Sequence, residues 1–389
     1  MCSCALSDPS GATAASGLAQ GTSSAALTSP LAGYAGTTDG DPHVDFLDPN
    51  GDVHELRRDA SAGWADGDLT VLTGAPAAGT GSALDAYVGS DGDSHVDFVD
   101  GAGHVHELHS GTGGWVDEDL TAAATPDDVP SADPPVAAAS PHALAGYAET
   151  GYNANRHVDF LDANGHVHDL FGAASWVDVD LTARTHAPPA RAGSAIAGYW
   201  GSNGSQHVDY VDASLDVHEL SIRPGGFWSD LDLTAVATGA PAAPGASLVG
   251  YWGSDDGQPI PFGSNAGVHV DFVDLAGHVH QLQYRSGNLV DDDLTCAAHG
   301  TPAWPSSALA GYRGGNGDQR VVFVDAGGAV RELSSASGAA WVEVDLTAGT
   351  GNVAPVSMTA GLAAFAAGDG SRHVDYVTTN GGVTDLAVP

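Results

Sequence analysis

"HVDFVDGAGHVHEL", residues 95–108, decides how this chain folds. Val96 and Phe98 alternate with His95 and Asp97, and a period of two belongs to a strand, whose side chains point to opposite faces in turn. Near-copies begin at His43, His157, His207 and His269. The intervening turns include "DPNGD" at 48–52 and "DANGH" at 162–166, and Asn-Gly between alternating segments is a strong hairpin signal. The stretch therefore reads as two antiparallel strands joined by a tight turn.

Working outward, seven units align on Tyr34, Tyr87, Tyr147, Tyr199, Tyr251, Tyr312 and Phe365, which lie 52–61 residues apart. Each unit runs through "LAGY", "HVDF", a glycine-rich turn, "HVHEL", "W…DLT" and an Ala/Pro/Gly linker, with the later copies degenerate. No stretch carries a sustained helical period, so each unit is about four short antiparallel strands. One small sheet cannot bury both its faces, but a ring of such sheets can. The expectation is an all-β chain forming a seven-bladed β-propeller, with an open β-solenoid as the weaker rival. The units are 31–80, 84–135, 144–190, 196–244, 248–304, 309–355 and 362–389, in one domain spanning 1–389. The last unit stops at "VTDLAVP", after its third strand, and Ala5-Leu6-Ser7 reads as a degenerate "DLT". Residues 1–10 are thus expected to supply the strand that closes the ring. The competing reading is a tail running through Pro30.

Composition narrows the function. The 389 residues include no lysine and carry a formal net charge of -38. Such a surface repels nucleic acid and anionic membranes. The three cysteines, Cys2, Cys4 and Cys296, are too few for a disulfide framework. No apolar run approaches a membrane span, and the start lacks a basic region followed by an apolar one. The expectation is a soluble protein, cytoplasmic or released without a classical signal peptide.

The repeated polar residues allow three chemistries. His104 and His106 share one strand face, and imidazole with carboxylate suits zinc. The copies vary, however, with Asp52, Asp216, Ala329 or Gly382 at the first position of that pair. Hydrogen bonding by strand histidines outweighs metal here, and neither metal nor cofactor is expected. Catalysis needs one asymmetric centre, whereas every unit carries a similar set, and the Ser-x-Asp-x-Gly-x-x-Trp turn of sialidases is missing. No catalytic residue is assigned. A sugar site needs a charged fork for hydroxyls and an aromatic face for the ring. "RVVFVDAGGAVREL" supplies Arg320 and Glu332, and Trp341 follows nine residues later.

With that arrangement the chain resembles the fungal and bacterial fucose-binding β-propeller lectins. In them Arg opens the second strand, Glu sits on the third at this spacing, and a tryptophan of the next blade stacks on fucose. The resemblance implies pockets between blades. The first combines His43, Glu55 and Trp115; the second His95, Glu107 and Trp176; the third His157, Asp169 and Trp228. His207 and Glu219 meet Leu289 instead of tryptophan, so the fourth is expected to be inactive. The fifth is His269, Gln281 and Trp341, weakened by the missing carboxylate. The sixth keeps Arg320 and Glu332 but faces Met1, and the seventh is His373, Asp385 and Trp64. Trp200 and Trp252, in "GYWGS", read as pocket rims. Six units place His where the family has Arg, which predicts binding that strengthens from pH about 7.5 to about 6. The expectation is a multivalent glycan-binding lectin, with L-fucose the first candidate and no enzymatic activity. A propeller scaffold for protein partners is the alternative, and a propeller enzyme acting on glycans ranks below it.

Overall fold

The computed structural model describes residues 23–36, 40–59, 63–127, 143–150, 155–253, 267–313, 318–336, 339–348 and 356–388. Its architecture is a seven-bladed β-propeller of antiparallel sheets. The first sheet runs Leu31–Ala35, Pro42–Leu47, Val53–Asp59 and Gly63–Asp68, each strand hydrogen-bonded to the next. The second begins at Leu84–Val88, the third at Leu144–Ala148, the fourth at Ile196–Trp200, the fifth at Leu248–Trp252 and the sixth at Ala310–Arg313. The seventh, Leu362–Ala366, Arg372–Val377 and Val383–Val388, has three strands among the described residues. The closing strand expected from residues 1–10 lies outside them.

The first strands of successive sheets touch one another around the ring, the seventh returning to the first. Their starts surround a central cavity of about 410 Å³, lined by Leu31, Leu84, Leu144, Ile196, Leu248 and Leu362 among others. Apolar packing fills the spaces between blades: seven clusters of buried hydrophobic residues occupy the seven interfaces. Val44 and Phe46 face the seventh sheet, while Leu47 and Val53 face the second. Burying each such side chain contributes roughly 1.5–3 kcal/mol. Both faces of these strands are covered, as a ring requires.

The linkers form a recurring backbone joint. Ala78 N–H donates to Gly51 O of the preceding hairpin, and Gly79 N–H donates to Val99 O of the next sheet. The pairs Ala190/Arg191, Ala242/Ala243 and Ala303/Trp304 repeat it. Ala25 and Ala26 make the same two bonds, to Gly381 O and Leu47 O, so residues 23–30 tie the seventh sheet to the first. Residues 23–30 are therefore not a loose tail, and the part of that reading that concerns residues 1–22 lies outside the described residues.

"DLT" is structural in a way the strand period hides. Its Asp caps a short helix, as Asp68 accepts from Val71 N–H at the start of Leu69–Thr73. Its Leu is buried, and its Thr Oγ1 accepts from the first amide of the third strand, Thr70 from Val53 N–H at 2.8 Å. Four further short helices, beginning at Leu120, Leu181, Leu233 and Leu294, repeat this. Cys296, in the last of these, is disulfide-bonded.

Candidate functional site

Register assembles a polar group on one face of every sheet. His43 pairs with Tyr34 on the first strand and Arg57 on the third, and Asp45 pairs with Glu55. Side chains two residues apart share a face, which brings Tyr34, His43, Asp45 and Glu55 together. The tyrosine lies flat on the imidazole, with ring centroids 4.8 Å apart in the first sheet and 5.0–5.2 Å in the next four. Its hydroxyl donates to the carboxylate in Tyr34–Glu55 at 3.1 Å and Tyr87–Glu107 at 3.0 Å. The imidazole Nδ1 meets the same acid: His43–Glu55 2.8 Å, His157–Asp169 3.0 Å, His207–Glu219 3.0 Å and His373–Asp385 2.9 Å. The glycine of "LAGY" follows from this stacking. A Cβ on Gly198 would fall 2.4 Å from the Tyr147 ring, and one on Gly250 2.4 Å from the Tyr199 ring.

These groups are deeply buried, His95 and Glu107 both being 0 % exposed. Several are completed by a residue absent from the sequence-based triplets, the one preceding the histidine of the next sheet. Arg156 Nη1 bonds Glu107 and lies 3.2 Å from His95 Nδ1, while its guanidinium sits 5.0 Å over the Trp176 ring. His95, Glu107 and Trp176 thus converge around an arginine of the chain itself. Arg372 reaches Glu332 at 2.8 and 3.0 Å, beside the Arg320–Glu332 pair at 2.5 Å. Gln206 Nε2 donates to Tyr147 Oη at 2.7 Å and to Asp169 Oδ2 at 2.9 Å. The only signal in the sequence is a long polar residue before "HVDF", and it varies: Pro42, Ser94, Arg156, Gln206, Val268, Gln319, Arg372.

An open cavity of about 480 Å³ lies between the third and fourth sheets. His157, Asp169 and Trp228, the third triplet, all line it, together with Trp200, Phe171, Gln206 and Glu149. His157 is sandwiched among aromatic rings, with Tyr147 at 5.2 Å, Phe171 at 5.7 Å and Trp200 at 5.8 Å. Its Nε2 lies 3.4 Å from Glu149 Oε1. Burial opposes charging this imidazole, but Asp169 and Glu149 outweigh it and raise its pKa to about 10. The hydrogen bond from His157 also holds the Glu149 carboxyl below its usual value. His157 is an imidazolium across the physiological range, so the titration between pH 7.5 and 6 expected from the sequence does not carry over to this unit.

The tryptophans of the other triplets pack as Trp228 does, each against the apolar cluster of its interface: Trp228 between the third and fourth sheets, Trp115 between the first and second, Trp64 between the seventh and first, and Trp341 between the fifth and sixth. His269 Nε2 is 3.0 Å from Gly253 O, and Gln281 Nε2 donates to Tyr251 Oη at 2.8 Å. Leu289 is buried between the fourth and fifth sheets, while Trp252 approaches His207 with ring centroids 5.3 Å apart. An aromatic partner therefore stands at the fourth histidine from a strand other than the expected one. Met1 lies outside the described residues.

No family model and no curated protein matches this sequence. Solved structures do. The lectin BP39L from Burkholderia pseudomallei is 17% identical, with a TM-score of 0.59 over 93% of this chain and 99% of that one. A fucose-specific lectin from Aleuria aurantia is 18% identical, with a TM-score of 0.53 over 85% of this chain and 100% of that one. AofleA from Arthrobotrys oligospora is 11% identical, with a TM-score of 0.52 over 93% of this chain and 83% of that one. The Aleuria lectin is described as a six-bladed β-propeller, one blade fewer than here. The likeness is one of fold.

Proposed function

We propose that this protein binds carbohydrate in pockets between neighbouring blades, and that the cavity between the third and fourth sheets is its principal site. The observation that carries this reading is the composition of that cavity: two indoles, Trp200 and Trp228, with a polar wall that includes Glu149, Asp169, His157, Gln206, Arg184 and Arg223. Aromatic rings suit the apolar face of a pyranose, and ionised carboxylates accept strong hydrogen bonds from sugar hydroxyls. The fucose specificity of the Aleuria protein, whose fold is similar, makes L-fucose the first sugar to test. The second and sixth interfaces carry Arg156 and Arg372 against their carboxylates, so a sugar there would displace or share a guanidinium and bind more weakly. The fourth, with Trp252 on His207, joins the candidates. Several weak pockets on one ring sum to strong attachment on a decorated surface. No catalytic role is assigned to these groups.

The test is a glycan array at pH 6 with free L-fucose as competitor, followed by calorimetry on Trp228→Ala. Loss of one stacking ring should weaken binding by up to about tenfold, roughly 1.4 kcal/mol. Binding that survives fucose keeps the lectin and changes its sugar. Failure to bind any glycan would reject this reading and favour the protein-binding scaffold. Because His157 stays charged, affinity at this pocket should be flat from pH 7.5 to 6. A strong rise on acidification would place the ligand against other histidines.

A further inference from the structure

A second kind of site stands on the hairpins, away from the inter-blade cavity. The motif Asp-x-x-Gly-His-Val-His occurs three times, as Asp100–His106, Asp162–His168 and Asp274–His280. In the third sheet Asp162, His166 and His168 offer ligand atoms within 4.8 Å of one another, and Asp274, His278 and His280 do so in the fifth. The turn aspartate is held in place through its other contacts, Asp274 Oδ1 accepting from Ala276 and His278 N–H at 2.8 Å.

Each histidine has a carboxylate behind it. His166 Nδ1 meets Asp180 at 3.0 Å and His168 Nδ1 meets Asp178 at 2.9 Å. His278 Nδ1 meets Asp293 at 2.8 Å and His280 Nδ1 meets Asp291 at 2.9 Å. An ionised carboxylate only accepts, so Nδ1 carries the proton and the lone pair of each neutral ring sits on Nε2. That fixed tautomer, with an acid behind the ring, is the support metal-ligating histidines have. The Nε2 atoms of His168 and His280 are buried without a hydrogen-bond partner, on side chains 6 % and 8 % exposed. His280 Nε2 lies 3.6 Å from Asp274 Oδ2. Two ligands on a tetrahedral zinc, each about 2.0–2.2 Å from the metal, stand roughly 3.4 Å apart.

The sixth sheet shows what this place attracts. Arg331 takes the register position of His168, opposite Asp345 as His168 is opposite Asp180. Its guanidinium reaches Asp325 at 2.8 Å, Glu343 at 3.2 Å and Asp345 at 3.6 Å, the counterparts of the acids around His168. There the chain supplies its own cation; in the third and fifth sheets two imidazoles take its place.

We propose that Asp162, His166 and His168, and separately Asp274, His278 and His280, each bind a divalent transition-metal ion of the zinc class, leaving a coordination position open. The mixed nitrogen and oxygen donor set favours zinc over magnesium or calcium, which prefer all-oxygen sites. This proposal stands independently of sugar binding.

The experiment titrates the full chain with Zn²⁺ against a chromogenic chelator at pH 8, after chelator stripping, so that protons compete little. His168→Gln and His280→Gln should each lower the bound metal by about one equivalent per chain, and the double variant by about two. His278→Ala, at a partly exposed ring, tests the fifth-sheet site with little risk to folding, and circular dichroism verifies each variant. Co²⁺ should give visible ligand-field bands that vanish in the double variant. Absence of zinc uptake by the parent chain, or an unchanged stoichiometry in the double variant, would overturn the proposal.

Discussion

Asp375 is fully buried at the inter-blade face, and neither of its carboxylate oxygens has a hydrogen-bond partner. Burial, and then the nearby Asp385 carboxylate, raise its pKa well above the usual carboxylate range. The unfolded chain releases this proton first, so stability falls as pH rises from about 4 towards the folded value. The sixth unit carries Val322 at the equivalent position and buries it completely. Asp375→Asn should therefore raise stability at pH 8, with little effect near pH 4. Denaturant melts at the two pH values check this, and equal stability of parent and variant at pH 8 would refute it. At this scale the sequence revealed half of each polar group. His43 and Glu55 were legible because one hairpin carries both. Arg156 and Gln206 were not, because each completes a group belonging to the preceding unit, at a position that changes identity around the ring.

The hairpins were the most legible elements, since a period of two and Asn-Gly are local signals. Gly51 shows why glycine belongs there: its φ is +87°, and a Cβ would stand 2.5 Å from Ala78 O, the carbonyl of the linker joint. Gly51→Ala should cost about 1–2 kcal/mol for the left-handed backbone alone, and more if the joint yields. Thermal unfolding measures it, and an unchanged midpoint would mean the turn relaxes freely. Leu215 occupies the equivalent turn at φ +73°, so one hairpin already tolerates that conformation, with its side chain packed against the neighbouring cluster. The short helices that begin at the Leu of "DLT" were illegible because four or five residues are too few to display a helical period.

At the scale of the whole molecule, the number of blades was legible because each repeat anchor became the first strand of one sheet. The sequence predicts closure by a strand from residues 1–10, which lie outside the described residues. What the structure describes is Ala25 and Ala26 bonded to Gly381 and Leu47, and Ser29 O accepting from Gly361 N–H. A chain beginning at residue 31 should therefore melt well below one beginning at residue 23, since it loses every one of these bonds across a single seam. Matching midpoints for the two truncations would show that the seam contributes nothing. The joints between blades are made by backbone amides and carbonyls, with few demands on the side chains beside them. A lineage that duplicated one ancestral unit could then let individual copies drift, trading histidine for arginine at position 331 or tryptophan for leucine at position 289, without forgetting how to close the circle.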